Sequence, residues 1–157
     1  MNLAAFNTSS DAEHELRTLC AAPDWAARVA AGRPYGSVDD LLVAADRALT
    51  DADLDAAMAG HPRIGDRTAG GRSRREQSAV GTAATDLLDA LAAGNEAYEQ
   101  RFGHVYLVCA SGRGAEDLLA TLHARLANDA ATERAVALAE LAAINRIRLT
   151  QFLEVVA

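Results

Sequence analysis

The sequence contains no lysine and has few cysteines, prolines and aromatic residues. All 15 of its basic residues are arginines, set against 22 acidic residues, which gives a formal net charge of −7. This acidic balance excludes a general nucleic-acid binder, which needs a basic surface. Two cysteines, Cys20 and Cys109, cannot build a disulfide framework. No apolar run reaches the roughly 18–20 residues of a membrane span, and Met1–Ser10 lacks a signal-peptide pattern, so we expect a cytoplasmic protein without a membrane partner.

The residues that are present favour helix. Alanine makes up about a quarter of the 157 residues, and alanine has the highest intrinsic helix propensity. The length suits one domain over residues 1–157. We therefore expect an all-α, single-domain bundle of about eight helices. The expected helices are Ser10–Cys20, Asp24–Ala31, Val38–Leu49, Asp51–Ala59, Ser73–Ala93, Asn95–Arg101, Ala115–Ala127 and Thr132–Val156.

Capping patterns set several of these boundaries. Ser10 with Glu13, Ser37 with Asp40, and Thr50 with Asp53 each have the spacing of a helix N-terminus.

Two segments break the helical pattern. Residues 60–72 hold four glycines and almost no apolar side chain, which predicts a long functional loop. Residues 104–110 form a short apolar run that we expect to be strand-like or extended.

Polar residues lie on the apolar face of the helix expected at Ser73–Ala93. Extending its core stripe back by one turn reaches Ser73, Glu76 and Gln77, at a step of about 100° per residue. One interpretation is a capping box with Ser73 as N-cap and Glu76 three residues later. That interpretation leaves Gln77 on the same face unexplained.

Arg148 repeats this pattern on the last helix, where it lies within the apolar stripe while Arg146 faces the opposite way. A guanidinium among apolar neighbours needs an anion or a route to water, because burying an unpaired charge is costly. Two interpretations stay open. Arg148 forms a buried ion pair with Glu76 or another carboxylate, or it belongs to a site for an anionic ligand.

Of the four histidines, His61 is the candidate catalytic residue. It follows Gly60, which ends a helix, and Pro62 restricts the backbone after it. Its imidazole can titrate near neutral pH. His14 and His123 lie in helices of mixed polarity. None of His14, His104 and His123 has a position comparable to that of His61.

These residues, taken in order, resemble the 2-oxo-4-hydroxy-4-carboxy-5-ureidoimidazoline (OHCU) decarboxylases of urate degradation, and the loop resembles their bacterial branch. The resemblance runs from the first helix to about Leu153 and rests on the ordered set. That set is His61-Pro62, Ser73-x-x-Glu76-Gln77, Asn95-x-x-Tyr98-x-x-Arg101-Phe102-Gly103, Tyr106-Leu107-Val108-Cys109-Ala110, Arg125-Leu126-x-Asn128 and Ile144-x3-Arg148-Leu149. Two positions depart from the family pattern: Gly94 replaces a leucine, and His104-Val105 replaces Phe-Pro.

The resemblance implies an all-α fold, no metal and no organic cofactor, and conversion of OHCU to (S)-allantoin and carbon dioxide. It implies that His61, Glu76 and Arg148 are catalytic. It also implies that the substrate, a small molecule, is bound by Pro62, Ser73, Gln77, Tyr106, Leu107, Val108, Cys109 and Ala110. The protein is expected to be a monomer or a homodimer.

Two other functions compete with this one. A non-catalytic helical interaction domain would use His61 and Glu76 only structurally. A metal-dependent hydrolase built on the same two residues lacks a third ligand at a recognisable spacing.

Overall fold

The computed structural model describes residues 1–66, 71–80 and 84–154. Helices and irregular segments make up this part of the chain, and it contains no strand, so the predicted all-α class is confirmed. Its nine helices, against about eight expected, are α1 (Leu3–Thr8), α2 (Ala12–Leu19), α3 (Pro23–Ala31), α4 (Val38–Ala48), α5 (Asp51–Ala59), α6 (Gly71–Glu76), α7 (Thr85–Phe102), α8 (Ala115–Arg125) and α9 (Ala130–Glu154). No helix in the described ranges is long and apolar enough to span a bilayer.

Two compact units divide the chain. The first joins Met1–Gly60 to the end of the chain from Leu138 onward, and the second is His61–Ala137. The single domain expected over residues 1–157 stays a prediction.

The first unit is organised around α3, which packs against α2, α4 and α5. The Trp25 side chain on α3 is fully buried, and its indole N–H donates to the Ala45 carbonyl at 2.9 Å. This bond satisfies the one polar atom of a large apolar side chain. Other large buried side chains of this unit include Phe6, Leu16, Leu19, Leu41, Leu54, Leu141 and Leu149.

The second unit packs α7 against α8. A Cβ placed on Gly94 of α7 would lie 3.0 Å and 3.3 Å from the two Leu122 methyl groups of α8. The absence of a side chain at Gly94 therefore permits this close approach. The core cluster of this unit consists of Ile64, Val80, Leu91, Tyr98, Tyr106, Val108, Ala110, Ala115, Leu118 and Leu122.

The local capping signals were mostly right. Ser37 caps α4 by accepting from the Asp40 N–H at 3.1 Å. The Thr50 N–H donates to the Asp53 carboxylate at 2.7 Å at the start of α5, and Gly60 ends that helix. The pattern at Ser10 was wrong, because α2 starts at Ala12 after Asp11.

The continuous helix expected at Ser73–Ala93 is wrong. Helix α6 ends at Glu76, residues 77–80 form a turn, and Ala84 has an extended backbone before α7 begins. Gly81 and Thr82, both poor helix formers, lie in this interval of the sequence. The separate helix expected at Asn95–Arg101 is instead the second half of α7, which continues through Gly94.

Four smaller differences concern other segments. Helix α1 was not predicted; its N-terminus is capped by Asn2, whose side chain accepts from the Ala5 N–H at 2.8 Å. The loop expected at residues 60–72 already gives way to α6 at Gly71. Residues 105–110 form neither helix nor strand. The last helix ends its described part at Glu154, and its predicted final residues lie outside the described ranges.

Candidate functional site

The segment that begins with His61 is fixed by its neighbours in the second unit. His61 and Pro62 are half-buried, and Ile64 is buried. The Asn95 side-chain N–H of α7 donates to the Ile64 carbonyl at 3.0 Å. One turn further along α7, Glu99 forms a two-pronged ion pair with Arg63, at 2.7 Å and 3.0 Å. The segment that follows His61 is therefore attached to α7 at two successive turns, once through its backbone and once through a side chain.

Glu76 and Gln77 lie at the end of α6 and in the turn that follows it, and both are half-buried. The Gln77 side-chain oxygen accepts from the Gly65 N–H at 2.9 Å. Gly65 has a φ of +85°, a conformation that glycine adopts without strain. This bond brings the turn after Glu76 to the loop after His61, so two of the predicted site segments lie together.

The suggested capping box at Ser73 is wrong. Ser73 lies inside α6, which begins at Gly71, and its carbonyl accepts from the Gln77 N–H at 3.1 Å. The half-buried Ser73 side chain is thus not needed at a helix N-terminus.

The segment predicted to bind substrate, Tyr106–Ala110, is buried apart from the half-buried Cys109. The Tyr106 hydroxyl donates to the Leu118 carbonyl at 3.0 Å. The Leu107 carbonyl accepts from Arg125 at 2.7 Å, and the Ala110 carbonyl accepts from the Arg113 N–H at 3.0 Å. Within the described ranges, no hydrogen bond uses the backbone N–H or C=O of Val108. A residue outside regular structure whose own N–H and C=O are both unused can bind a ligand that offers an adjacent donor and acceptor.

Sequence reasoning missed Glu133, on the first turn of α9. Its carboxylate is fully buried and accepts from the Tyr98 hydroxyl, from Arg125 Nε at 2.6 Å and from Asn128 Nδ2 at 3.1 Å. Burial, followed by the bond to this carboxylate, raises the pKa of Tyr98 far above its usual value. A signal was available: Glu133, Ala137 and Leu141 are spaced four residues apart, so Glu133 extends the apolar stripe of α9 by one turn.

Arg148 lies on α9 in the first unit and is 7% exposed. Its Nη1 donates to the Leu19 carbonyl at 2.7 Å. One turn earlier on α9, the Asn145 side-chain amide is buried, and its partner in the described residues is the Cys20 thiol, a weak hydrogen-bonding group. Burial raises the pKa of the neighbouring Cys20 thiol. His61, Glu76 and Tyr106–Ala110 belong to the second unit, so the predicted convergence of Arg148 on them stays a prediction.

A surface depression of about 750 Å³ lies between α3 and α4 in the first unit. It is lined by side chains of both charges, including Arg28, Asp39, Asp40 and Arg47. None of the predicted site residues lines it, so it is separate from the predicted chemistry.

Known proteins resemble this chain over most of its length. Residues 7–150 match the OHCU decarboxylase family. The 2-oxo-4-hydroxy-4-carboxy-5-ureidoimidazoline decarboxylase of Amia calva is 30% identical over 142 residues, which cover 84% of this chain and 81% of that protein. The uric acid degradation bifunctional protein TTL of Arabidopsis thaliana is 28% identical over 150 residues. The match covers 88% of this chain and 45% of the Arabidopsis protein, so the chain spans about half the length of that relative.

A solved structure shares the fold. The crystal structure of an OHCU decarboxylase in the presence of (S)-allantoin superposes with a TM-score of 0.79 at 24% identity, covering 88% of this chain and 96% of the other. With the family match over residues 7–150 and the relative at 30% identity, this chain is a member of the OHCU decarboxylase family.

Proposed function

We propose that this chain decarboxylates OHCU to (S)-allantoin in urate degradation, using its own side chains and no cofactor. The observation that carries the proposal is the family match over residues 7–150. That interval includes the loop after His61, the end of α6, the segment Tyr106–Ala110 and Arg148.

The reaction makes three demands on a protein. The bond from the ring carbon to the carboxylate breaks, and its electron pair moves into the imidazoline ring, so that carbon dioxide leaves. The hydroxyl on that carbon loses its proton and becomes a carbonyl, while the ureido-bearing carbon gains a proton on one face. One further proton enters from solvent, which balances the charge of the lost carboxylate. Because the ring delocalises the electron pair, the protein has to bind an anion, move protons and select a face.

His61 is proposed to move the protons, with Glu76 as its orienting partner. An imidazole can accept and donate a proton near neutral pH, and a carboxylate can fix its orientation. The anchored backbone after His61 supports this role, because general acid–base catalysis depends on the position of the group. Asn95 and Gln77 both bond to that backbone within four residues of His61.

Arg148 is proposed to hold the substrate carboxylate, since a guanidinium binds a carboxylate through two parallel hydrogen bonds. The ring and ureido groups are proposed to bind along Tyr106–Ala110. The unused N–H and C=O of Val108 support this assignment, because ureido and ring amide groups each offer a donor beside an acceptor. Pro62, Ser73 and Gln77 complete the proposed pocket.

The test uses OHCU prepared freshly from urate, purified protein and a chelator. Substrate loss is followed by absorbance, and the enantiomeric composition of allantoin by circular dichroism. We expect rapid, optically pure (S)-allantoin. His61→Ala should lose most of the rate and should give both enantiomers, whereas His123→Ala, which removes an exposed histidine on α8, should behave like the unaltered protein.

Two results would contradict the proposal in different ways. If the protein does not accelerate the reaction, the decarboxylase activity is wrong, and the non-catalytic interaction domain becomes the better interpretation. If His61→Ala keeps nearly full rate and stereochemistry, the activity stands but the role of His61 is wrong.

Two further expectations, the oligomeric state and the cellular location, can be tested by experiment. Sedimentation velocity distinguishes the expected monomer from a homodimer. Fractionation of the source cells tests the expected cytoplasmic location.

A further inference from the structure

A buried ionic network in the second unit has no part in the proposed proton transfers. Glu133 is fully buried, and the Arg125 side chain is 6% exposed. The Glu133 carboxylate accepts hydrogen bonds from Tyr98, Arg125 and Asn128, which come from α7, α8 and the segment after α8. All three donors therefore fix one carboxylate, and the carboxylate fixes the Arg125 guanidinium.

Another nitrogen of the same guanidinium, Nη1, contacts the proposed substrate-binding segment. Arg125 Nη1 donates to the Leu107 carbonyl at 2.7 Å. The guanidinium carbon lies 4.9 Å from the centre of the Tyr106 ring and 5.8 Å from that of Tyr98, in cation–π geometry. Arg125 thus contacts the first two residues of Tyr106–Ala110, immediately before Val108.

Stability alone is a poor explanation for this arrangement. A buried ion pair carries a large desolvation penalty, and apolar side chains of similar volume often serve a core equally well. An apolar core, however, cannot hold a backbone carbonyl in one direction. A guanidinium can, because its donors form a rigid planar fork and Glu133 occupies the other side of it.

We propose that Arg125, oriented by Glu133, is a positioning residue for the substrate. By fixing the Leu107 carbonyl, it fixes the plane of the Leu107–Val108 peptide bond and thus the direction of the Val108 N–H, which binds the ring and ureido groups. The N–H and C=O of Val108 have no protein partner in the described ranges. This role rests on the proposed decarboxylase function.

The first experiment needs no substrate. Amide hydrogen exchange of the peptide covering Tyr106–Ala110 is compared between the unaltered protein and Arg125→Lys, which keeps the charge but loses the fork. We expect exchange in this peptide to become about ten-fold faster or more, as for the loss of one charged hydrogen bond. Exchange in α3, in the other unit, should not change.

The second experiment measures steady-state kinetics and product stereochemistry. Arg125→Lys should raise KM for OHCU about ten-fold and lower the enantiomeric excess, while kcat changes by less than about three-fold. Glu133→Gln, which keeps the shape of the side chain, and Asn128→Ala, which removes one donor to Glu133, should shift KM in the same direction by smaller factors. These milder variants keep the proposal testable if Arg125→Lys folds poorly.

The matched control is Asp53→Asn in the first unit. Asp53 is a buried carboxylate, 4% exposed, that pairs with Arg28 at 2.6 Å. Asp53→Asn should lower the melting temperature without changing KM or enantiomeric excess. This control separates the effect of lost stability from the effect of lost positioning.

Three results would overturn the proposal. In the first, Arg125→Lys leaves exchange at Tyr106–Ala110 unchanged. In the second, exchange accelerates but KM and enantiomeric excess stay at the values of the unaltered protein. In both cases an active unaltered protein shows that only the role of Arg125 is wrong. In the third, the unaltered protein is inactive, which refutes the proposed function together with the role built on it.

Discussion

Asn95→Ala tests how the loop after His61 is held. The Asn95 N–H reaches the Ile64 carbonyl at 3.0 Å, and the bond is buried. One turn away on the same helix, Glu99 pairs with Arg63 from the same loop, but the Arg63 side chain is 62% exposed. The two contacts join the same segments and differ in their exposure to water, so Arg63→Gln is a matched control.

The expected cost follows from that difference in burial. Asn95→Ala leaves the Ile64 carbonyl buried without its donor, which costs about 1–3 kcal/mol. Two effects reduce the cost: the Asn95 side-chain oxygen, already without a partner in the described ranges, is removed, and alanine favours helix by roughly 0.5 kcal/mol. We expect a net loss of about 1–2 kcal/mol, or roughly 3–6 °C in melting temperature for a chain of this size. Arg63→Gln should change the melting temperature by less than about 1 °C, because water and salt screen an exposed pair.

Differential scanning calorimetry and OHCU kinetics, both done well below the melting temperature, give the answer. Displacing the backbone three residues from His61 should lower kcat/KM for Asn95→Ala by about ten- to a hundred-fold, and Arg63→Gln should lower it by less than about three-fold. Equal effects of the two substitutions would refute the argument, since exposure would then not decide which contact holds the loop. Full activity of Asn95→Ala would show that the bond to Ile64 does not position His61.

Three other predictions concern stability. Asn145→Leu removes a buried amide whose partner in the described residues is the weakly hydrogen-bonding Cys20 thiol and should raise the melting temperature by roughly 2–6 °C; a decrease would contradict this reasoning. Gly94→Ala should be neutral or destabilising, because crowding against Leu122 offsets about 1 kcal/mol of helix propensity; in a Leu122→Ala background the same change should become stabilising, which a double-mutant cycle checks. The Thr132 N–H holds the pKa of Asp129 below its usual value, so the stability advantage over Asp129→Asn should be full above about pH 4 and lost as the pH falls further, which thermal melts at several pH values would show.

Capping made part of the fold predictable from the sequence. The starts of α4 and α5 depend on side chains three residues apart, Ser37 with Asp40 and Thr50 with Asp53. Such contacts form within one turn and need no tertiary partner, so the sequence predicts them directly. Helix α1 was missed because six residues are too few to show periodicity, although its Phe6 is fully buried.

Errors in the prediction occurred where distant residues decide the structure. Glycine ordinarily weakens a helix, and the sequence predicts two helices that end at Ala93 and begin at Asn95, on either side of Gly94. The close approach of Leu122, 28 residues along the sequence, gives Gly94 a packing role inside α7. Similarly, the order Arg125-Leu126-x-Asn128 was recognised as part of a motif without a role, because the Leu107 carbonyl and Glu133 meet Arg125 only in the folded chain.

The second unit shows why an all-α protein needs buried polar side chains near its irregular segments. A helix satisfies most of its own backbone groups, whereas an irregular segment leaves most of them for other partners. In the described part of the loop after His61, the internal backbone bond runs from the Asp66 N–H to the Arg63 carbonyl. Asn95 supplies the donor for Ile64, Gln77 the acceptor for Gly65 and Arg125 the donor for Leu107. Each of these side chains fixes the backbone of a proposed site segment without occupying a proposed catalytic position. Apolar replacements at these three positions should therefore impair catalysis at temperatures where the helices are still intact, because the irregular segments depend on these bonds and the helices do not.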